Sequence, residues 1–183
     1  MDVEYDENKL RELILHVAAR LESDRAGGAT KLNKVLFFAD FASVRTRGRP
    51  ITGAEYQHLP HGPAPRRLMP LRKALIESGD AEMIEEDFLG RTQHRLVARR
   101  PADLTDFTED ELKTIDGVLD DLVGMTGTQV STLSHEEPAW KHTSDGETIP
   151  YELALVAKDQ VVTPTARQLG AEVARRYGLA ETG

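Results

Sequence analysis

The 183-residue chain contains no cysteine. This excludes disulfide bridges, thiolate nucleophiles and cysteine-ligated zinc sites, so any covalent or metal chemistry would have to use serine, histidine or carboxylate side chains. The chain also lacks a run of about 18 apolar residues, the length that a membrane-spanning helix needs. Its N-terminus carries Asp2, Glu4, Asp6 and Glu7, where a signal peptide would be basic. These absences predict a cytoplasmic protein with no membrane contact.

Motifs that bind phosphate or metal are also missing. The patterns Gly-x-x-x-x-Gly-Lys-Ser/Thr, Gly-x-Gly-x-x-Gly and His-Glu-x-x-His do not occur. His58 and His61 flank a proline in a segment rich in proline and glycine, so they do not share a helix face. Ser134-His135-Glu136 are adjacent residues, which rarely point at one another as a nucleophile, a base and an orienting group must. We therefore expect a protein that is not an enzyme and has no catalytic residue, metal ligand or cofactor.

Basic residues are concentrated between positions 31 and 73, although the net charge of the chain is −8. This segment has nine basic residues, opposed only by Asp40 and Glu55: Lys31, Lys34, Arg45, Arg47, Arg49, Arg66, Arg67, Arg72 and Lys73. Two explanations account equally well for this concentration of basic residues: ion pairs with acidic helices of the same chain, and a surface that binds a partner. Direct nucleic-acid binding is the weakest explanation, because the net charge repels phosphate and no aromatic residue is interleaved with the arginines.

The first half of the chain has three helical patterns. After Asp6 as a possible N-cap, apolar residues recur at helical spacing up to Gly27. Thr30 is then expected to cap a helix from Lys31 to about Thr46, which is apolar nearly all round and therefore central. Residues 48 to 65 read as a loop with one short extended segment. A third helix is expected to begin near Pro65.

The second half predicts a β-hairpin followed by further helices. Residues 81–87 and 92–99 read as two strands joined across Leu89-Gly90-Arg91. Thr108 with Glu111, and Thr126 with Gln129, form capping-box patterns that each begin a helix. Residues 136–150 look irregular, and Pro164 opens a last helix. The chain is therefore expected to be a single α+β domain over residues 1–183, mainly α, with about six helices and a small hairpin.

Four short motifs follow one another along the chain. They are Lys31-Leu32-Asn33-Lys34 with Phe37-Phe38-Ala39-Asp40, Gly48-Arg49-Pro50-Ile51-Thr52-Gly53 with Glu55-Tyr56, His61-Gly62-Pro63-Ala64-Pro65, and Ser134-His135-Glu136 with Trp140. In order and spacing they resemble the Panacea domain of the SocA-like antitoxin family. The resemblance covers about residues 8–145 and leaves 146–183 as a C-terminal helical extension.

The resemblance implies an antitoxin that neutralises a cognate toxin, encoded by an adjacent gene, through direct protein contact. The toxins of this family are so varied that the antitoxin does not reveal which toxin it binds. One relative delivers its toxin to a protease as an adaptor, so delivery to a protease is an alternative to blocking. Self-association into a homo-oligomer is left open.

Two sets of residues are assigned roles. The toxin-binding set lies on or near the rigid loop, where guanidinium groups give directional contacts: Arg45, Arg47, Arg49, Glu55, Tyr56, His58, His61, Arg66 and Arg67. The structural set comprises motif residues expected to build the core and the turns: Lys31, Asn33, Phe37, Phe38, Asp40, Gly48, Pro50, Gly53, Gly62, Pro63, His135 and Trp140. The alternatives are a small hydrolase that uses His58, His61 or His135, and a DNA-binding regulator that uses the basic segment 31–73.

Overall fold

The computed structural model describes residues 3–156, which form a mainly α, α+β fold. The α-helices of this part are α1 Glu7–Arg20, α2 Ala29–Arg47, α3 Leu68–Glu77, α4 Glu109–Asp121, α5 Gly127–His135 and α6 Pro138–Lys141. The strands are β1 Tyr56–Gln57, β2 Ala64–Pro65, β3 Ala81–Phe88 and β4 Arg91–Ala98, and they form two antiparallel pairs, β1 with β2 and β3 with β4. Two short 3-10 helices span Leu21–Ser23 and Tyr151–Leu155.

Helix α2 is the centre of the fold, as its apolar circumference predicts. Val35, Leu36, Phe37 and Phe41 are fully buried, and the helix contacts α1, α4, α5 and β4. The predicted N-cap, Thr30, is wrong. The helix begins two residues earlier than expected, because Gly28 has an extended conformation and its carbonyl already accepts a hydrogen bond from the amide of Leu32.

Three other helices, α1, α4 and α5, start as the capping patterns predict, whereas α3 begins at Leu68 and not near Pro65, which lies in β2. The Asp6 carboxylate accepts a hydrogen bond from the Lys9 amide at 2.9 Å at the start of α1. Both expected capping boxes are present, Thr108 with Glu111 at α4 and Thr126 with Gln129 at α5. These starts were predictable because each cap lies within three residues of the groups that it satisfies.

Strands β3 and β4 form the predicted hairpin, paired from Ala81 opposite Ala98 to Phe88 opposite Arg91. The two-residue turn, Leu89-Gly90, has φ angles of 55° and 74°, as a type I′ turn requires. Ala81 and Leu96 are buried at the base of the hairpin. The turn end of the hairpin therefore extends beyond the core.

Two predictions about irregular segments need correction. The loop 48–65 contains two short strands instead of one extended segment, with Tyr56 opposite Pro65. The segment 136–150 is not wholly irregular, because Pro138 occupies the first turn of the short helix α6, where a proline has no intrahelical amide bond to lose. The last predicted helix, from Pro164, lies outside the described residues. The described residues therefore form six α-helices, of which five were predicted and the sixth is α6.

Packing continues past residue 145, the end expected for the Panacea-like core. Ile149, Tyr151 and Ala154 are buried, and the rings of Tyr151 and Phe41 lie 5.0 Å apart. Within residues 3–156, the helices are all too short or too polar to cross a membrane.

Candidate partner-binding site

Asp40 of α2 holds the loop that follows the helix. Its Oδ1 accepts hydrogen bonds from the amides of Ile51 (2.7 Å) and Thr52 (2.8 Å), and its Oδ2 accepts from the hydroxyls of Thr52 (2.6 Å) and Tyr56 (2.8 Å). Burial raises the pKa of the Asp40 carboxyl, although these hydrogen bonds act in the opposite direction. The carboxyl group therefore fixes the loop against the central helix.

Two motif glycines allow close approach of chain segments. A Cβ atom at Gly53 would lie 2.1 Å from the carbonyl oxygen of Glu4, and one at Gly62 would lie 2.3 Å from Oγ of Ser134. Both residues also have positive φ, at 66° and 91°, a conformation that costs little only for glycine. The loop is thus held between the N-terminal segment and α5.

Trp140 is stacked between two imidazole rings. Its ring centroid lies 4.2 Å from that of His58 and 4.1 Å from that of His135. Nδ1 of His58 lies 3.0 Å from the Thr143 hydroxyl, which itself lies 3.0 Å from the carbonyl of Ala139. The stack joins the loop to the segment that follows α5.

Lys34 is 2% exposed, and its Nζ donates to the carbonyl of Pro63 at 2.9 Å. Burial lowers the pKa of the Lys34 ammonium to about 8. Burial also lowers the pKa of His135, and the charge of Lys34 acts in the same direction. Lys34 belongs to the first family motif and to the basic segment, and the apolar circumference of α2 was the signal that its side chain would be buried.

Most of the predicted toxin-binding arginines are paired within the protein. Arg47 lies 3.1 Å from Glu111, Arg66 lies 2.5 Å from Glu55 and Arg67 lies 2.9 Å from Glu7, and Arg45 pairs with Glu137. Arg49 is exposed and forms no ion pair with another described residue. Intramolecular pairing therefore explains much of the charge asymmetry, and Arg49 is the predicted contact that remains most available.

The other predicted toxin contacts differ in exposure. Tyr56 and His58 are only 1% and 7% exposed, so a partner could reach their side chains only if the loop moved. Glu55 and His61 are exposed.

The basic segment does not form a continuous free basic surface. Six of its nine basic residues have a carboxylate partner: Lys31, Arg45, Arg47, Arg66, Arg67 and Lys73. Lys34 is buried. Because charges that are already paired contribute little to binding phosphate, this arrangement weakens the hypothesis of a DNA-binding regulator.

The three histidines of the hydrolase hypothesis do not converge on the Ser134 hydroxyl. That hydroxyl donates to the carbonyl of Ser131 at 2.7 Å and is not bonded to His135. His58 and His135 lie on opposite faces of Trp140. His61 instead lines a separate cleft. Ser134 therefore does not have the nucleophile–base geometry of a serine hydrolase.

A cleft of about 760 Å³ opens on the described structure. It lies between the turn end of the β3–β4 hairpin, the N-terminal ends of α2 and α5, and His61; we call it the hairpin-tip cleft. Leu89 and Arg91, which line it, are not among the predicted site residues. A leucine at a turn position that usually holds asparagine, aspartate or glycine was the available signal.

Comparison with known families identifies residues 32–141 as a match to the family described as antitoxin SocA-like, Panacea domain. Comparison with curated proteins and with solved structures gave no match. The matched segment is more than half of the chain, and it contains the Asp40 hydrogen bonds, the motif glycines and the Trp140 stack. This chain therefore belongs to the family of SocA-like antitoxins with a Panacea domain.

Proposed function

We propose that this protein is an antitoxin that neutralises a cognate toxin by direct protein–protein binding, in the cytoplasm and without chemistry of its own. The observation that carries the proposal is the family match over residues 32–141. The toxin is proposed to be the product of an adjacent gene. The primary proposed mode is that binding blocks the toxin. Delivery of the bound toxin to a protease is the alternative mode that the resemblance suggests.

The geometry of the matched segment supports a binding role. Asp40, Trp140 and the motif glycines stabilise the loop between α2 and α3, which makes the surface around it rigid. A rigid surface loses little conformational entropy when a partner binds, so more of the interaction energy appears as affinity.

Co-expression of this protein with the product of the neighbouring gene tests the proposal. We expect the neighbour alone to stop growth, and co-expression to restore growth and yield a complex that co-purifies. A pulse-chase measurement of the neighbour's half-life, with and without this protein, distinguishes the two modes. An unchanged half-life supports blocking, and a shortened one supports delivery. A harmless neighbour that does not co-purify would contradict the proposal.

Arg49 gives the sharpest test of the predicted toxin contact at the loop 48–65. Because Arg47 is paired with Glu111, its reversal would disturb the fold, whereas Arg49→Glu should not. If the loop contributes to the interface, Arg49→Glu weakens the complex without changing the melting temperature, while Lys113→Glu on α4 is neutral. If both variants bind the toxin as tightly as the wild type does, Arg49 does not lie in the interface.

A further inference from the structure

The hairpin-tip cleft has no aspartate or glutamate among its lining residues, although the chain contains 31 acidic residues. Its wall carries hydroxyl groups and cationic or titratable side chains: Thr30, His61, Arg91, Thr92, His94 and Thr128. The carboxylates of β3 beside the cleft are Glu86, which accepts a hydrogen bond from the lining residue Gln93 at 2.8 Å, Glu85, which lies 3.5 Å from His94, and Asp87, opposite Thr92. None of the three lines the cleft. Its electrostatic character therefore differs from that of the acidic surface around it.

Arg91 is the cation of this cleft that the fold leaves free. It is exposed and forms no ion pair with any residue between 3 and 156. Lys31, which also lines the cleft, is by contrast neutralised by Asp24 at 2.5 Å. A guanidinium group without a partner can bind a carboxylate in the bidentate manner that arginine favours.

Leu89 adds an apolar contact at the same place. It is 79% exposed and has a φ of 55°, a conformation that is unfavourable for a leucine and favourable for asparagine or glycine. Its side chain gains little from the fold in return, because most of it faces solvent. A strained residue with no structural benefit is typical of a binding surface.

We propose that the hairpin-tip cleft receives a segment of the toxin in which a carboxylate side chain neighbours an apolar one. The carboxylate would bind Arg91, and the apolar side chain would pack against Leu89 and Phe88. This inference rests on the proposed antitoxin function and names the surface and the partner chemistry that serve it. The partial positive charge at the N-terminal ends of α2 and α5 adds to the attraction for a carboxylate.

Three variants test the cleft with the neighbouring gene product as the probe. Arg91→Glu should weaken the complex at least tenfold, because it places a carboxylate where the partner's carboxylate binds. Leu89→Asn should also weaken the complex at least tenfold, while its melting temperature stays the same or rises, since asparagine tolerates positive φ. Lys113→Glu, an equal change of charge on α4, should bind as the wild type does.

The outcomes separate the cleft from the function. If the wild type binds the probe and both cleft variants bind it equally well, the cleft proposal is overturned and the antitoxin proposal stands. If the wild type itself does not bind or rescue, both are overturned. Cross-linking from a photoreactive residue at Thr92 identifies the occupant. A cross-link to an acidic segment of the probe supports the proposal, whereas a cross-link only to a second copy of this chain contradicts it.

Discussion

The polar groups around Asp40 are satisfied by one another, whereas one cation of the hairpin-tip cleft, Arg91, is not. Asp40 accepts four hydrogen bonds of 2.8 Å or less from its own chain. Arg91 has no carboxylate partner in the described structure. Because a buried polar group is costly unless it is bonded, the first region must hold the fold together. The second can contribute to binding without contributing to stability.

The end of α2 and the start of the loop 48–65 contain both a paired and an unpaired arginine. Arg47 is paired with the buried Glu111, while Arg49, two residues further on, is exposed and has no described carboxylate partner. A count of charges along the sequence treats the two arginines alike. Their surroundings show that only the second is free for a partner.

Removal of the Asp40 carboxyl should have the largest effect on stability. Asp40→Ala leaves two amides and two hydroxyls without their acceptor, and we expect a loss of about 4–6 kcal/mol in the free energy of unfolding. Urea denaturation monitored by circular dichroism measures it. Asp40→Asn should cost less, because the amide oxygen still accepts and the hydroxyls of Thr52 and Tyr56 can accept in turn. An Asp40→Ala variant as stable as the wild type would contradict the distinction between the Asp40 region and the hairpin-tip cleft.

Truncation of Trp140 should have the next largest effect. Trp140→Ala removes the ring between His58 and His135, and we expect it to lower the free energy of unfolding by about 3 kcal/mol. Trp140→Phe keeps an aromatic ring in the stack and is the matched control, with a smaller expected loss. A Trp140→Ala variant that melts like the wild type but no longer binds the toxin would move Trp140 from the scaffold to the interface.

Lys34 should make stability depend on pH. Its pKa is about 8 in the folded protein, against 10.5 in the unfolded chain. The unfolded chain therefore binds more protons between these values, and the free energy of unfolding should rise with pH, by about 2 kcal/mol from pH 7 to 9.5. Denaturation at several pH values measures this rise. Lys34→Met should abolish it, and a rise that persists in the variant would assign the titration to another group.

The smallest effects should come from Arg47 and Arg49, which form a matched pair. Arg47→Ala breaks the contact with Glu111 but leaves that carboxylate its contact with Lys9 at 2.8 Å, so we expect a loss of about 1–2 kcal/mol. Arg49→Ala should change stability by less than about 0.5 kcal/mol. Thermal melts of the two variants suffice. Equal losses would show that Arg49 is also held by the fold.

Much of the fold was predictable because its signals are local. The caps at Asp6, Thr108 and Thr126, the apolar circumference of α2 and the β3–β4 turn all depend on residues within one or two turns of each other. The errors fall where local signals conflict. The start of α2 was misplaced because a threonine is a better cap than the glycine that is used, and α6 was missed because it has only four residues.

The candidate site was predictable only in part. The family motifs located Asp40, Trp140 and the motif glycines, but they gave no indication that His58 and His135 stack on opposite faces of Trp140. The basic segment was visible in the sequence, whereas the partners of its arginines were not. Leu89 and Arg91 belong to no motif, and their importance depends on the cleft that the hairpin forms with two helices.

The sequence by itself determined the family, the central helix, the β3–β4 hairpin and the starts of α1, α4 and α5, because capping and periodicity act between near neighbours in the chain. Only the tertiary structure decided which charges are neutralised and which stay free. Arg45 pairs with Glu137, which lies 92 residues further along the chain. The ammonium of Lys34 is buried and donates a hydrogen bond to the carbonyl of Pro63, 29 residues away in sequence. Electrostatic and desolvation energies depend on distance in space, and the folded chain alone sets those distances.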